Sequence, residues 1–247
     1  MTAQNMALLA LAGLLSGGIN AVAGGGSLIL FPALLASGFS PLQANVTNSM
    51  ANWPGYLGGV MGFRADLKGQ QSRIVALTGV TLVGSSLGCA LLLRLPAAAF
   101  DVIVPLLVLF ASLLLAAQPA IQRRVVKIGG KQGWSGYLGI LCAAVYGGYF
   151  GGALGVILLA TLAFTVADSL RRINALKSVL SLINGTVCGL VFAAFGPVDW
   201  TAAAVAAPTT LLGGYLGARL ASRINDKLLR RGIVAFGIGV SAYLALR

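Results

Sequence analysis

The feature that most constrains this chain is a series of eight long apolar runs, each bounded by charged or polar residues. The runs cover residues 6–37, 44–63, 74–93, 98–117, 134–167, 174–195, 201–220 and 233–246. Most contain about 20 residues, which as a helix crosses the roughly 30 Å hydrocarbon core of a bilayer. Only 9% of the residues are charged, against about a quarter in soluble domains. The pattern predicts an all-α polytopic membrane protein with a single transmembrane domain over residues 1–247.

Two of these runs, 6–37 and 134–167, are too long for one straight crossing. Each exceeds 30 residues, or about 50 Å of helix, and each contains a glycine cluster. Glycine permits backbone conformations that interrupt a helix. We therefore predict that each run is a hairpin of two membrane segments, broken at Gly24–Gly26 in the first run and at Gly151–Gly155 in the second.

The basic residues distinguish this hairpin arrangement from eight single crossings. Eight crossings would divide Lys and Arg almost evenly between the two sides, whereas cytoplasmic loops normally carry the excess. With two hairpins, all but Arg94 and Arg247 of the 17 basic residues fall on one side. We therefore expect an inner (plasma) membrane protein with cytoplasmic basic loops and both termini outside.

An internal repeat appears when the chain is compared with itself at an offset of 129 residues. Identical pairs in this register include Gly18/Gly147, Gly26/Gly155, Asn45/Asn174, Thr81/Thr210 and Gly88/Gly217. The predicted repeats are residues 1–118 and 130–247, joined by a basic linker at 119–129. Each half would hold a broken-helix hairpin and three transmembrane helices. Because each half then crosses an odd number of times, we predict that the repeats are inverted, as in many secondary transporters.

The glycine clusters provide the first candidate site. A short half-helix would begin after each cluster, with its free N–H groups and positive dipole end at membrane depth. Two such ends can bind an anion without any formal charge. The candidate substrate-binding residues here are Gly24, Gly25, Gly26, Ser27, Gly151, Gly152 and Gly155. Close helix packing through small residues is the alternative role.

Polar side chains in the next apolar run of each half provide the second candidate site. Their helical spacing predicts a shared polar face, and such faces usually line a bundle interior or an aqueous path. The candidates are Asn45, Thr47, Asn48 and Asn52 in the first half and Asn174, Lys177 and Ser178 in the second. Amides, hydroxyls and an ammonium can all donate to an anionic oxygen. Interhelical hydrogen bonding is the alternative role, and Lys177 could instead extend to the basic face.

The residue types that are missing exclude several classes of function. The chain has no His and no Glu, which excludes Ser-His catalysis and histidine metal sites. No Walker lysine follows a glycine-rich loop, so ATP is not the expected energy source. The basic residues lie between apolar runs and form no aromatic-interleaved patch, so nucleic acid is not an expected partner. We expect no enzymatic activity and no cofactor.

Several of these motifs resemble the TauE/SafE sulfite exporter family. The resemblance rests on the segment GGINAVAGGGSLILFP at 17–32, on Ala44–Asn48, on Tyr146–Gly155 with Asn174–Lys177, and on the glycine-arginine segment 213–220. It extends over nearly the whole chain. It implies a bacterial inner-membrane permease for sulfur-containing anions.

We therefore expect a secondary transporter that moves small anions, with sulfite, an organosulfonate or a related oxyanion implied by the resemblance. The two half-helix ends and the polar faces would form its site. Two alternatives remain open from the sequence: a non-transporting membrane component that packs against a partner, and a passive anion channel. The transported anion, its direction, a coupling ion (H⁺ or Na⁺) and homo-oligomer formation also stay open.

Overall fold

A computed structural model describes residues 1–128, 134–221 and 226–246, with the side chains of 121–128 and 226–229 outside the description. Within these ranges the chain forms ten α-helices, one 3₁₀ turn at Arg64–Leu67 and no strand. The helices are α1 Ala3–Val22, α2 Ser27–Ala36, α3 Pro41–Gly62, α4 Gln71–Arg94, α5 Ala97–Ile128, α6 Trp134–Tyr149, α7 Leu154–Thr165, α8 Leu170–Phe195, α9 Trp200–Leu220 and α10 Asp226–Ala245. The prediction of an all-α protein is confirmed. Residues 119–128 of the predicted linker continue helix α5.

The surface of the helix bundle suits a lipid environment. Within the described ranges, α1, α4, α5 up to Ala120 and α8 are long and apolar enough to cross a membrane. Large apolar side chains point outward from the bundle, with Val75 74%, Val102 75% and Leu190 71% exposed. Exposing such an apolar surface to water is unfavourable in free energy, whereas exposing it to the hydrocarbon of a bilayer is not. The chain is therefore a multi-pass membrane protein.

Both overlong runs are divided into two helices at the predicted glycine clusters. Helix α1 ends at Val22 and α2 begins at Ser27, while α6 ends at Tyr149 and α7 begins at Leu154. Each short helix is followed by a tight loop whose serine caps the next long helix. The Ser40 hydroxyl accepts from Gln43 N, and the Ser169 hydroxyl accepts from Arg172 N, both at 3.4 Å. Ser40 and Ser169 are themselves 129 residues apart.

Helices of one half pack closely against helices of the other half, and glycines make this possible. In α1, Gly17 lies against Thr210 and Gly214 of α9. In α4, Gly88 lies against Val145 and Gly148 of α6. A Cβ atom on Gly17 or Gly88 would collide with the backbone of the facing helix, so small residues bring these helices together. Under the offset of 129, α1 corresponds to α6 and α9 to α4, so the two packings are equivalent.

Helices in equivalent positions of the two halves run antiparallel where they meet. Helix α3 crosses α8 with Val46 near Gly196 at one end and Gly59 near Ser178 at the other. Helices α5 and α10 also run antiparallel, since Ser241 Oγ donates to the Pro105 oxygen at 2.8 Å while Gly237 faces Ser112. The antiparallel direction of equivalent helices is the relationship that inverted repeats require.

Among the described residues three ion pairs lie at one end of the bundle, and two of them connect one loop to another. Arg73 and Arg172 contact Asp168 at 2.7 and 2.9 Å, and Arg171 contacts Asp66 at 3.1 Å. Desolvation raises the pKa of Asp168, but hydrogen bonds from Arg73, Arg172 and the Ser169 N–H outweigh it and lower the pKa to about 2. These contacts bring the loop between α3 and α4 next to the loop between α7 and α8.

Candidate functional site

The two helix breaks touch each other inside the bundle. Gly24, just after α1, has φ +86°, and Gly151, just after α6, has φ +75°. The left-handed region of the backbone favours glycine at both turns. The Gly24 backbone packs against Gly155, the second residue of α7, so closely that a Cβ atom on Gly24 would lie 2.6 Å from the Gly155 Cα. The breaks that the sequence predicts separately therefore form one contact.

The first turn of α2 begins inside a group of buried polar residues, here called the polar cluster, which consists of Ser16, Asn20, Asn48, Asn52 and Lys177. The Gly26 N–H donates to Asn20 Oδ1 at 2.8 Å, and Ser27, the first residue of α2, is buried. Gly25 packs against the Leu115 side chain of α5. The N-terminal end of α2, which carries positive partial charge, is thus buried beside amide and hydroxyl groups. The role of this helix end as an anion site stays a prediction.

The first turn of α7 differs from that of α2. Its N-cap is Ala153, which has φ +60°, whereas Gly26, the N-cap of α2, has φ −62°. Gly152 packs against the ring of Phe150, while Gly151 is half-buried. The polar cluster therefore surrounds the start of α2, and apolar and aromatic groups surround the turn before α7.

Asparagines of α3 connect this helix to α1. Asn52 Oδ1 accepts from Ser16 Oγ at 2.7 Å and from Asn20 Nδ2 at 3.0 Å, and Asn52 Nδ2 donates to Asn48 Oδ1 at 2.8 Å. Asn48 and Asn52 thus lie together on one face of α3, as their spacing predicts. Buried amides that pair in this way satisfy each other's donors and acceptors.

Lys177 joins the same region from α8. Its Nζ donates to the main-chain oxygens of Asn20 and Ala21 at 3.1 and 3.0 Å, and the residue is only 1% exposed. These oxygens belong to the last turn of α1, where carbonyls lack helical partners and the dipole is negative. The ammonium therefore points into the bundle, and the suggested extension of Lys177 to the basic face is wrong.

A similar contact in the other half uses an amide from a different repeat position, since Lys177 corresponds to Asn48 and not to Asn45. Asn45 Nδ2 on α3 donates to the Tyr149 oxygen at 2.9 Å, and Tyr149 corresponds to Asn20 under the repeat offset. Each half therefore binds the C-terminal end of the other half's first helix. Asn45 Oδ1 and its equivalent Asn174 Oδ1 are buried with no hydrogen-bond partner within the described residues. Both amide oxygens could accept a further hydrogen bond.

Thr47 and Ser178 also lie outside the polar cluster. Thr47 Oγ1 accepts from Asp199 N at 3.0 Å and so contacts the loop between α8 and α9. Thr47 is two residues from Asn45, which turns it to the opposite side of α3. Ser178 Oγ donates to the Asn174 oxygen at 2.9 Å and lies near Gly59. Both contacts position helices.

Three polar residues at the first break are absent from the site that the sequence predicts. Ser16 and Asn20 on α1 bind Asn52, and Gln118 Nε2 on α5 donates to the Ala23 oxygen at 3.4 Å. Ser16 and Asn20 are four residues apart within an apolar run, and that spacing was an available signal. Gln118 is isolated in the sequence, and only the tertiary packing brings it to the break.

The polar cluster is closed to solvent in this conformation. Asn48 is 2% exposed and Asn52 is 1% exposed. The two largest clefts described here lie elsewhere, one near Asp101 and one near Arg230. Among the described residues no group of three or more Cys, Asp, Glu or His could hold a metal ion. The arrangement can offer donors and one buried positive charge to an anion, once access opens.

Comparison with known proteins gives a family and several relatives. A family model described as sulfite exporter TauE/SafE matches residues 9–244. A probable membrane transporter protein YfcA of Escherichia coli (strain K12) is 29% identical over 94% of this chain and 86% of its own length. A probable membrane transporter protein of Haemophilus influenzae is 28% identical over 96% of this chain and 93% of its own. No solved structure matches this chain.

Proposed function

The chain belongs to the TauE/SafE sulfite exporter family, and we propose that it is a secondary transporter of small sulfur-containing oxyanions such as sulfite or an organosulfonate. It would act in the inner membrane with its basic loops in the cytoplasm. The relatives named as probable membrane transporters support transport in general. The choice of anion rests on the family's description and on the chemistry of the buried cluster.

The observation that carries the proposal is the contact between Gly24 and Gly155. It brings the turns before two interrupted helices together inside the bundle, and the positive ends of α2 and α7 follow directly. Interrupted helices that meet inside a bundle are a recurrent way of building substrate sites in transporters. We propose that the anion binds beside this contact, next to the N–H groups at the start of α2.

Lys177 supplies the formal positive charge in this proposal. A buried ammonium is expensive unless it is paired, and here it is held by the carbonyls of Asn20 and Ala21. An anion that reaches the cluster would form an ion pair with Nζ in exchange for its hydrogen bonds to uncharged carbonyl oxygens. Asn48 and Asn52 would orient the anion through their amide groups.

Access to this closed cluster requires a conformational change. Inverted repeats can open a shared site to either side when one repeat rocks against the other. The antiparallel crossing of α3 and α8, which occupy equivalent positions, supports this arrangement. The structure would then correspond to a state in which neither side reaches the site.

Flux into proteoliposomes tests the proposal. Purified protein would be reconstituted, and uptake of labelled sulfite would be followed with and without a proton or sodium gradient. A secondary transporter gives saturable uptake that responds to one of the gradients, and an organosulfonate competes with it. Uptake that ignores both gradients and does not saturate would indicate a passive anion channel instead.

The burial of Asn48 and Lys177 also favours a second candidate, a non-transporting component in which these groups serve packing alone. The two candidates differ in flux. Protein that folds and reconstitutes but moves no sulfur oxyanion would favour the packing role. Uptake that falls in Asn48→Ala, while the melting temperature in detergent stays near that of the wild type, would favour the transporter.

A further inference from the structure

A cleft opens between α5 and α10, outside the polar cluster. It has a volume of about 680 Å³, and Arg230, Arg231, Pro119, Val234 and Ile238 contribute to its walls. The two helices pack tightly at Ser112 and Gly237. The cleft begins beyond this contact, beside Pro119, which lies inside α5. Proline removes one helical hydrogen bond and is a common cause of helix kinks.

The walls of this cleft combine two chemical characters. Alanines, Val234 and Ile238 provide an apolar surface along the helices, and Arg230 and Arg231, which are adjacent in the sequence, also line the cleft. Arg230 is half-buried and Arg231 is exposed. Among the described side chains, no carboxylate forms an ion pair with either arginine. The cleft therefore combines basic side chains with an apolar groove.

The position of the cleft restricts what can occupy it. Helix α10 lies at the edge of the bundle and packs on α5 and α2. Its large side chains Phe236 and Ile238 are 46% and 41% exposed. Basic pockets between transmembrane helices on the cytoplasmic side commonly bind the phosphate groups of anionic lipids. The acyl chains of such a lipid can follow the apolar groove.

We propose that this cleft binds an anionic phospholipid, with the headgroup phosphate held by Arg230 and Arg231 and the acyl chains along Val234 and Ile238. Guanidinium groups suit a phosphate because they donate in a planar fork. The cleft is separate from the proposed transport site, because none of the residues that line it belongs to the polar cluster. A lipid bound there would contact both α5 and α10.

Native mass spectrometry and thermal unfolding of the full chain test this proposal. The protein would be titrated with phosphatidylglycerol, phosphatidylcholine or inorganic phosphate. We expect phosphatidylglycerol to bind and to raise the melting temperature, and the other two to do neither. The variant Arg230→Gln/Arg231→Gln should bind phosphatidylglycerol about 30-fold more weakly, because each basic residue near a membrane surface contributes about fivefold.

The matched control is Arg64→Gln/Lys68→Gln, which removes two exposed basic residues from a loop away from the cleft. This variant should bind the lipid like the wild type. Equal loss in both variants would overturn the proposal in favour of general surface attraction. Equal stabilisation by inorganic phosphate would indicate a free-anion site. A lipid-independent dimer that is lost only in the arginine variant would assign the cleft to a second copy of the chain.

Discussion

The Nζ atom of Lys177 lies 3.1 Å from the main-chain oxygen of Asn20 and donates a hydrogen bond to it. This bond joins α8 to the last turn of α1, two helices from opposite halves of the chain. The ammonium is buried at the negative end of a helix dipole, which favours a cation there. Asn45 and Tyr149 form a similar contact. The two halves are therefore connected at the C-terminal ends of α1 and α6.

Replacing Lys177 with methionine should destabilise the protein. The substitution keeps the apolar stem but leaves two buried carbonyls without the ammonium, and each unsatisfied group costs about 1–3 kcal/mol. We expect the melting temperature in detergent to fall by several degrees. Lys68→Met, at an exposed position, should leave it unchanged. A Lys177→Met protein as stable as the wild type would contradict the capping role.

Alanine substitution at Gly24 should be far more damaging than at Gly38. Both glycines have positive φ, +86° and +95°, so alanine costs about 1 kcal/mol in either place from backbone strain. A Cβ atom at Gly24 would also collide with Gly155, whereas nothing lies within 4 Å of one at Gly38. Thermal unfolding gives the loss of melting temperature in each variant. The difference between the two losses measures the contribution of the contact between Gly24 and Gly155. Equal losses of stability would show that this contact contributes little.

The sequence predicts the helix breaks well because they follow from length and from glycine, both of which are local. It also predicts that Asn48 and Asn52 share a face, which depends only on helical spacing. It fails for Thr47, whose contact with Asp199 depends on where the α8–α9 loop lies. It fails for Gln118, since only packing of α5 against the break reveals that position. The direction of Lys177 likewise depends on a helix 157 residues away.

Oxidation should cross-link α4 to α8. The Sγ atoms of Cys89 and Cys188 are 3.4 Å apart and buried, while Cys142 is exposed. Treatment of Cys142→Ala protein with copper phenanthroline, an oxidant that enters the apolar phase, should join the two thiols and remove two hydrogens from the mass. If transport requires one repeat to rock against the other, the cross-link should slow uptake and a reducing agent should restore it. Full uptake by cross-linked protein would mean that α4 and α8 move as one body.

The ion pairs of Asp168 should make stability depend on pH at the acidic end. Its pKa is about 2 in the folded protein, below the value of about 3.9 in an unfolded chain. The stabilisation is therefore present above about pH 4 and is lost as the pH falls toward 2. Asp168→Asn should lower the melting temperature by a few degrees at pH 7 and should reduce its fall between pH 5 and pH 3.

A matched comparison for Asp168 is Asp66→Asn. The partner of Asp66, Arg171, is 53% exposed, so solvent screens that pair and the loss should be smaller. A larger loss of stability in Asp66→Asn than in Asp168→Asn would contradict the expectation that the ion pairs of Asp168 contribute more to stability.

Calorimetric titration of sulfite into the purified protein tests most directly whether the polar cluster binds an anion. We expect saturable binding to the wild type, unchanged binding to Lys68→Gln, and binding to Lys177→Gln that is about tenfold weaker or worse, the equivalent of about 1.4 kcal/mol. Binding of equal affinity by folded Lys177→Gln and wild-type protein would contradict an anion site at Lys177.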